Sequence, residues 1–526
     1  MTHFGKGEVE VHEGPLKSLE APLLVVGVHE GGFDDPVVAR VVGLAGHCLE
    51  VPVGADFTGR NGERVLAYPE RAQGWQVERV ALQGMGPLKL ESNEWRKLGG
   101  HAFDVAKRLK LGVAHVLPPL GLLCSGSAAT PATYPFQALV EGFFLARYRG
   151  WRRRGRRGEG DGIGGERGPR RLVVVAPGDL GVEVPAGIAT SATRGMLVAT
   201  AQNRSRELSD APGNVATPAR VGKFAVEVAK EGSLGLRARV LAGKELERER
   251  FHALLAVAAG SSPKYAPRVV LLEYQPEGAP DASKVALVGK GICFDTGGYQ
   301  LKPRGQIERM KHDMSGAATV LSTALAAAVL RLPVRVVAVA PLTHNMIGGE
   351  AMLPGDVIDT RAGLTVEVLS TDAEGRLILA DALNYAADLE PEAIVDVATL
   401  TGACRYALGE YAAGLFSNDD ALADQLLAAG TLTHERLWRL PLWPEHVEAI
   451  KGKASDLKNK AVPAGDASFA AAFLSKFVGD RAWAHLDVAA TAYHYPPRES
   501  LAPYLVPGST GFGVRLLVEF LSEFGN

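Results

Sequence analysis

Short apolar runs of strand type alternate with helical segments through the second half of the chain. Strand-type runs lie at residues 268–274, 284–288, 334–340 and 393–398, and small apolar residues at helical spacing fill 316–330. Strands that alternate with helices are typical of parallel sheets with helical crossovers. We therefore predict an α/β fold with a mainly parallel, doubly wound sheet. A functional site is expected in the polar turns at the carboxyl edge of such a sheet.

The chain is long enough for more than one domain. Its 526 residues, 47% of them apolar, can form more than one core. We predict a smaller N-terminal α/β domain over residues 1–190, a linker helix over 191–209 and a catalytic domain over 210–526. No catalytic motif is found in the N-terminal part. Its small-residue loop at 121–129 could cradle a phosphate, but it lacks the Lys-Ser/Thr ending of a P-loop, which favours a plain loop.

The net charge and hydropathy of the chain argue against nucleic acid and membranes as general binding partners. The formal net charge of -2 provides no overall attraction to nucleic acid or to an anionic membrane. No apolar run of about 18 residues stands out, so no membrane span is predicted. Residues 1–14 lack the pattern of a secretion signal, which predicts a cytoplasmic protein. Cys48, Cys124, Cys293 and Cys404 match no metal-binding or redox spacing and are interpreted as buried apolar residues.

An arginine- and glycine-rich segment over residues 151–171 leaves two interpretations open. One is an arm that binds nucleic acid. The other is a solvated loop inserted before the next strand. No aromatic residues are interleaved among the arginines for base stacking, which favours the loop.

Residues 369–377, Leu-Ser-Thr-Asp-Ala-Glu-Gly-Arg-Leu, form the turn between a strand-type run and a helical pattern. Asp372 and Glu374 are two residues apart, so in an extended chain both carboxylates leave the same face of the backbone. Acidic residues at a helix start commonly cap the helix, and for an isolated pair that interpretation would be preferred. Two buried carboxylates this close repel each other unless a cation lies between them.

A second polar turn, at residues 289–298, changes that preference. It supplies Lys290 and Asp295, and Lys302 and Asp313 follow. If the strands before the two turns are neighbours, four carboxylates and two lysines converge. Carboxylate-rich sites suit divalent ions such as Mn, Mg, Co or Zn, and two such ions can activate a water. No His-Glu-x-x-His, Gly-x-Ser-x-Gly or Walker sequence supports another class of hydrolase or a nucleoside triphosphatase.

The same turns carry sequences that resemble a known family, the leucyl aminopeptidase (cytosol aminopeptidase) family. The resemblance covers roughly residues 205–516 and is most specific at Thr-Asp-Ala-Glu-Gly-Arg-Leu. The matching runs are Val-Gly-Lys-Gly-Ile-Cys-Phe-Asp-Thr-Gly-Gly at 288–298, Leu-Lys-Pro at 301–303, His-Asp-Met-Ser-Gly-Ala-Ala at 312–318, Ser-Thr-Asp-Ala-Glu-Gly-Arg-Leu at 370–377 and Ala-Thr-Leu-Thr-Gly-Ala at 398–403.

The resemblance implies a site for two divalent ions, with Mn or Zn expected first and Mg or Co as alternatives. Asp295 and Glu374 would bridge both ions. Lys290 and Asp313 would complete the tighter site, and Asp372 the more exchangeable one. A lysine ligand must be neutral, which requires a strongly lowered pKa. Without the resemblance, an ion pair between Lys290 and Asp295 would be the preferred interpretation.

The resemblance also implies roles around the metals. Lys302 would polarise the scissile carbonyl and stabilise the gem-diolate, and Arg376 would hold a bicarbonate as general base. Met310, Thr399 and Gly402 match positions that line the pocket for the first side chain of the substrate. The expected activity is a metal-dependent aminopeptidase that removes leucine and other apolar residues from peptides, as a homohexamer.

This chain departs from the usual family pattern at a few positions. Tyr299 and Gln300 stand where small or aliphatic residues are usual, so they could narrow or re-polarise the substrate cleft. Ser315 and Ser370 are modest changes that should leave the metals alone. His312 lies beside Asp313, but neighbours in an extended chain point oppositely, which favours a structural role for this histidine. Two alternatives from other classes are a nucleic-acid-binding protein using segment 151–171 and an inactive scaffold, against which the full set of metal-type side chains argues.

Overall fold

The computed structural model divides the chain into two compact units. One unit comprises the described residues within 2–200 and 496–506, and the other those within 201–495 and 507–526. The structure describes residues 7–50, 56–69, 74–88, 91–120, 131–152, 162–163, 168–230, 234–462, 464–495 and 501–525. The small-residue loop at 121–129 and most of the arginine-rich segment at 151–171 lie outside the described residues.

The first unit is built on a sheet that is parallel except at one edge. In spatial order its strands are Glu8–His12, Arg171–Val175, Val113–Leu117, Leu24–Val28, Val80–Gly84 and Arg64–Ala67, of which the last is antiparallel to its neighbour. Its α-helices among the described residues are Pro36–Ala45, His47–Glu50, Ser92–Arg108 and Tyr134–Leu145. The chain then continues into the long helix Ile188–Asp210, which contributes residues to both units.

The second unit contains a larger sheet with a parallel centre. In spatial order its strands are Leu236–Ala242, Arg268–Tyr274, Arg335–Asn345, Lys284–Gly289, Ala393–Ala398, Ala482–Asp487, Ala413–Ser417 and Leu437–Arg439, and Gly291–Asp295 also pairs with Arg335–Asn345. The neighbours from Arg335–Asn345 to Ala482–Asp487 are parallel. Because helices cover a parallel sheet on both faces, its strands read as continuous apolar runs, and every residue of Ala393–Ala398 is buried. The predicted α/β, mainly parallel fold class is confirmed.

Helices of the second unit flank this sheet. They are Pro218–Ala229, Lys244–Arg248, His252–Ala258, Ser315–Leu330, Glu374–Asp388, Gly402–Leu408, Asp420–Thr433, Pro444–Ala449, Asp466–Leu474 and Val514–Phe524. The composition of residues 244–258 predicts one continuous helix, but the structure divides it into Lys244–Arg248 and His252–Ala258. Arg250 has a left-handed φ of 59°, which interrupts the helix between its two halves.

The strand that leads into the carboxylate motif is shorter than its sequence pattern indicates. It covers Thr365–Glu367 and belongs to a small separate sheet with Val357–Asp359 and Leu457–Lys458. The motif is therefore delivered by an extended segment after this strand and not by a strand of the main sheet. The helix Glu374–Asp388 begins directly at its second carboxylate.

One helical stretch of the described residues, Ile307–Leu330, is long and apolar enough to cross a bilayer by length and composition alone. In the structure it consists of the 3₁₀ turn Ile307–His312 followed by the helix Ser315–Leu330. Its most apolar window is 89% buried, as is usual for a core helix. Cys293 and Cys404 are buried as predicted, whereas Cys48 is only half-buried, and Cys124 lies outside the described residues.

Candidate metal centre

Three elements of the second unit bring the polar turns together. Asp295 ends the strand Gly291–Asp295, and Lys290 directly follows the strand Lys284–Gly289. Glu374 is the first residue of its helix. The sheet centre thus places Asp295 and Lys290 at the carboxyl edge of its strands, where sites of α/β folds usually lie, and the helix start brings Glu374 beside Lys290.

Three carboxylates form a compact cluster. Oxygen atoms of Asp295, Asp372 and Glu374 lie within 4.8 Å of one another. Asp295 and Glu374 are each 1% exposed, whereas the side chain of Asp372 is 39% exposed. Like charges at this distance in a buried site are unfavourable without cations.

Lys302 supplies one of those cations. Its Nζ atom lies 2.8 Å from Asp295 Oδ2 and 2.5 Å from Asp372 Oδ1. Burial opposes the charge on Lys302, but these carboxylates and Glu374 outweigh burial and raise the pKa of Lys302. The lysine is therefore a protonated bridge between two of the clustered carboxylates.

Lys290 supplies a second cation beside the carboxylates. Its Nζ atom lies 2.8 Å from Asp313 Oδ2 and 3.0 Å from Glu374 Oε1, and it donates a hydrogen bond of 2.9 Å to the carbonyl oxygen of Thr399. Burial opposes its charge, but Asp313, Glu374 and Asp295 raise the pKa of Lys290. The interpretation that pairs Lys290 directly with Asp295 is thus replaced, because Asp295 pairs with the other lysine.

The surroundings of the carboxylates shift their pKa values in both directions. Burial, followed by the charges of Glu374 and Asp313, raises the pKa of Asp295 to about 8. Burial likewise raises the pKa of Asp313 to about 6 and is the main cause of a raised pKa at Asp372. Burial also opposes ionisation of Glu374, but Lys290 and then Lys302 outweigh it and lower its pKa.

The donor set fits divalent cations. Four carboxylates face two lysines, so full ionisation leaves two excess negative charges. Oε2 of Glu374 is buried and has no hydrogen-bond partner among the described residues, which leaves this oxygen available as a ligand. Gly375 leaves space for Lys290, since a Cβ atom there would lie 2.5 Å from Lys290 Cε. Oxygen ligands and one amine in a buried pocket are suited to borderline ions.

Sequence reasoning missed a set of hydrogen bonds that holds the two turns together. Asn345 Nδ2 donates to Asp295 Oδ1 at 2.8 Å and to the carbonyl of Thr371 at 3.0 Å. Gln300 Oε1 accepts from the Thr371 backbone N–H at 2.7 Å, and Gln300 Nε2 donates to the carbonyl of Leu369 at 3.4 Å. The only available signal for Asn345 was its place at the end of a strand in the sheet centre.

Tyr299 and Gln300, the two residues that differ from the usual family pattern, form hydrogen bonds with backbone groups. Gln300 contacts the segment before Asp372, as described above. The hydroxyl of Tyr299 donates to the carbonyl of Gly348 at 3.0 Å. The expectation that both residues re-polarise the cleft therefore finds no support in their hydrogen bonds, while an effect of the exposed Tyr299 ring on cleft width stays a prediction.

Arg376 lies outside the ion pairs of the cluster. Its guanidinium is buried, and the described ion pair joins its Nη2 to Asp466 Oδ1 at 3.6 Å. Nε and Nη1 of Arg376 have no hydrogen-bond partner among the described residues. Burial lowers the pKa of Arg376, and Asp466 opposes this. Two unpartnered donors on a buried cation fit a small anion.

Of the three predicted pocket residues, Thr399 and Met310 are hydrogen-bonded to Asp313. Thr399 is buried, and its hydroxyl donates to Asp313 Oδ1 at 2.7 Å. Met310 is half-buried in the turn whose carbonyl accepts from the Asp313 backbone N–H at 3.3 Å. Gly402 is exposed, and a Cβ atom there would meet nothing within 4 Å.

His312 and a second buried histidine, His485, have their described polar contacts with residues outside the carboxylate cluster. His312 is fully buried, and its Nε2 lies 2.6 Å from the hydroxyl of Tyr495. Burial lowers the pKa of His312 to about 4, so it is a neutral interior residue. His485 Nδ1 lies 2.6 Å from Asp396 Oδ1, while its Nε2 has no partner among the described residues. Both are interior histidines, and one nitrogen of His485 is left unsatisfied.

Comparison with known proteins identifies the relatives of this chain. A family model described as the catalytic domain of the cytosol aminopeptidase family matches residues 203–518. A probable cytosol aminopeptidase of Syntrophotalea carbinolica is 40% identical over 97% of this chain and 98% of its own length. A probable cytosol aminopeptidase of Geobacter sulfurreducens is 49% identical over 60% of this chain and 62% of its own length.

Solved structures give the same result. A tomato leucine aminopeptidase mutant superposes with a TM-score of 0.83 at 29% identity, covering 98% of this chain and 96% of its own. The bottromycin maturation enzyme BotP in complex with Mn superposes with a TM-score of 0.79 at 31% identity, covering 96% of this chain and all (100%) of its own. The chain therefore belongs to the cytosol aminopeptidase family and is a hydrolase of the leucyl aminopeptidase type.

Proposed function

We propose that this protein is a metal-dependent aminopeptidase that releases N-terminal amino acids from peptides, with leucine and other apolar residues preferred. The observation that carries the proposal is the cluster of four carboxylates, three of them buried, and two lysines at the carboxyl edge of the sheet. Its excess negative charge is suited to divalent cations. The leucine preference rests on the family resemblance.

Two ions per subunit are proposed, held by the residues that the resemblance implies. Asp295 and Glu374 would bridge the ions, with Lys290 and Asp313 at the tighter site and Asp372 at the more exchangeable one. The greater exposure of the Asp372 side chain supports this order, because an exposed ligand is more easily replaced by water. Lys290 must lose its proton to bind, and a nearby divalent charge favours its neutral amine.

The residues around the metals would position and stabilise the reacting groups. When bound, the ions supply an activated water and a Lewis acid. The ammonium group of Lys302 would stabilise the negative charge that develops on the carbonyl oxygen of the scissile bond. Arg376 would hold bicarbonate, which supplies a general base when bound. The unpartnered Nε and Nη1 atoms of Arg376 support this assignment.

Mn and Zn are the ions we propose first, with Mg or Co as alternatives. Carboxylate oxygens accept all four ions, whereas an amine ligand favours the borderline ions over Mg. The complex of BotP with Mn, in a structure that superposes over 96% of this chain, agrees with this choice.

Met310, Thr399 and Gly402 are proposed to line the pocket for the first side chain of the substrate. The open space at Gly402 and the half-buried thioether of Met310 suit an apolar side chain. We further propose a homohexamer in the cytoplasm, as the family resemblance implies. Mass measurement of the purified protein by light scattering tests the assembly.

The proposal is tested by hydrolysis of leucine p-nitroanilide. The purified protein is treated with a chelator, and Mn, Zn, Co or Mg is then added back. Turnover that disappears on chelation and returns with metal is the expected result. N-acetyl-leucine p-nitroanilide is the matched control, because an aminopeptidase requires a free α-amino group.

Two results test the aminopeptidase activity and the two-metal site separately. Saturation at two ions per subunit, measured by elemental analysis after gel filtration, is expected. Hydrolysis of the acetylated anilide at an equal rate would contradict the aminopeptidase assignment. Saturation at one ion per subunit in a fully active protein would contradict the two-metal site alone.

A further inference from the structure

Arg376 is a buried cation whose surroundings satisfy only part of its hydrogen-bonding capacity. It is 3% exposed, and both Nε and Nη1 lack hydrogen-bond partners among the described residues. An uncompensated buried charge is unfavourable, so a counter-ion is expected beside it. The nearest described anion is Asp466, whose Oδ1 lies 3.6 Å from Nη2.

Asp466 is placed unusually for an acidic residue in the first turn of a helix. Such residues normally accept a backbone N–H or extend into solvent. Here the described helix Asp466–Leu474 has no side-chain cap. Oδ2 of Asp466 binds Lys460 Nζ at 2.7 Å, and the buried Oδ1 has no hydrogen-bond partner among the described residues. Its side chain is 14% exposed.

The two oxygen atoms of this carboxylate thus have separate environments. Lys460 holds one oxygen near the surface, and the other faces the guanidinium of Arg376. The gap of 3.6 Å to Arg376 is too long for a direct hydrogen bond. The interaction is therefore electrostatic, and it leaves the donors of Arg376 available to another anion.

We propose that Asp466 is a resident counter-charge for Arg376 that competes with bicarbonate and so weakens anion binding at this arginine. The inference rests on the proposed anion-binding role of Arg376. A second anion that enters beside the guanidinium meets the negative charge of Asp466 at short range in a buried site. Like charges are strongly disfavoured there. Asp466 would therefore set the affinity of Arg376 for the anion without contacting the substrate, so it is a positioning residue and not a catalytic one.

The charge of Asp466 can be removed without changing its shape. In Asp466→Asn the carboxylate becomes an amide, and the bicarbonate dissociation constant is expected to fall by about tenfold or more. The measurement is the line broadening of ¹³C-labelled bicarbonate by the zinc-loaded protein in a decarbonated buffer. This readout does not depend on turnover.

A matched control removes another carboxylate that is paired with an arginine. Asp420 pairs with Arg439 at the surface of the same unit, and Asp420→Asn is expected to leave the dissociation constant unchanged. Asp466→Ser is a second variant that removes the charge by a different substitution. Zinc content equal to that of the unchanged protein establishes that each variant is folded.

Arg376→Met separates the inference from the function on which it rests. If Arg376→Met abolishes bicarbonate binding and both Asp466 variants tighten it, the inference is supported. If Arg376→Met abolishes binding but the Asp466 variants bind as the unchanged protein does, Asp466 does not compete and the inference is overturned. If Arg376→Met binds bicarbonate unchanged, the proposed role of Arg376 itself is wrong, and the inference fails with it.

Discussion

Replacement of Lys302 by methionine separates the roles of the two lysines. Lys302 Nζ contacts Asp295 Oδ2 at 2.8 Å and Asp372 Oδ1 at 2.5 Å. If Lys302 stabilises the developing oxyanion, its loss should lower turnover by about 10²–10³-fold, as for other single oxyanion donors. Methionine keeps most of the length of the side chain and removes the charge.

The same replacement should not weaken metal binding. Unit charges about 4 Å apart interact by about 4 kcal/mol at an effective dielectric constant of about 20. The contribution from Asp372 is smaller, because its side chain is 39% exposed. Without Lys302 the empty carboxylates lose a competing cation, and the bound ions lose a like charge. We therefore expect metal affinity to rise by about tenfold or more.

Two measurements on the same preparations test this prediction. Turnover of leucine p-nitroanilide is measured at saturating metal, and zinc affinity by calorimetric titration after chelation. Lys284→Met is the matched control, because the one described hydrogen bond of the Lys284 ammonium group is to the carbonyl oxygen of Leu389, away from the carboxylate cluster. A Lys302→Met protein that loses metal in parallel with its activity would show that Lys302 is part of the metal-holding framework, and the reasoning would be wrong.

Three further predictions concern a proposed metal ligand and two residues that position such ligands. Glu374→Ala removes a proposed bridging ligand and should lose bound metal and turnover together, and elemental analysis showing two ions per subunit would refute the bridging role. Gln300→Ala leaves the backbone N–H of Thr371 without its acceptor, which costs about 1–3 kcal/mol. The urea midpoint and zinc affinity should both fall, and unchanged values would show that the hydrogen bond is dispensable. Gly375→Ala places a Cβ atom 2.5 Å from Lys290 Cε, so its zinc affinity should fall sharply. Full affinity in that variant would mean that Lys290 is not needed as a ligand.

Much of the main sheet could be predicted from the sequence. The strands at 268–274 and 393–398 have the predicted bounds, because strands buried on both faces form uninterrupted apolar runs that polar residues end. The convergence of Asp295 and Lys290 follows from parallel strands, whose carboxyl ends share one edge of the sheet, whereas Glu374 is brought to them by the start of the helix Glu374–Asp388.

Other features depend on tertiary contacts that no local pattern encodes. The break at Arg250 interrupts a segment whose composition is helical throughout. The small sheet that contains Thr365–Glu367 has a partner strand about 90 residues away, Leu457–Lys458. Pairing of Lys302 with Asp295, and the approach of Asp466 to Arg376, depend on side-chain positions that a sequence motif does not specify.

Thr399 has a consequence for how substrate preference can change. Its carbonyl accepts from Lys290, and its hydroxyl donates to Asp313, so one residue of the proposed pocket wall is bonded to two proposed metal ligands. A substitution that reshapes the pocket here would also disturb the metals, and selection for a new substrate would be opposed by loss of activity. Variation in preference among related enzymes should therefore accumulate at pocket positions without such bonds, and Gly402, which faces open space, is a position where a larger side chain can be introduced at least cost.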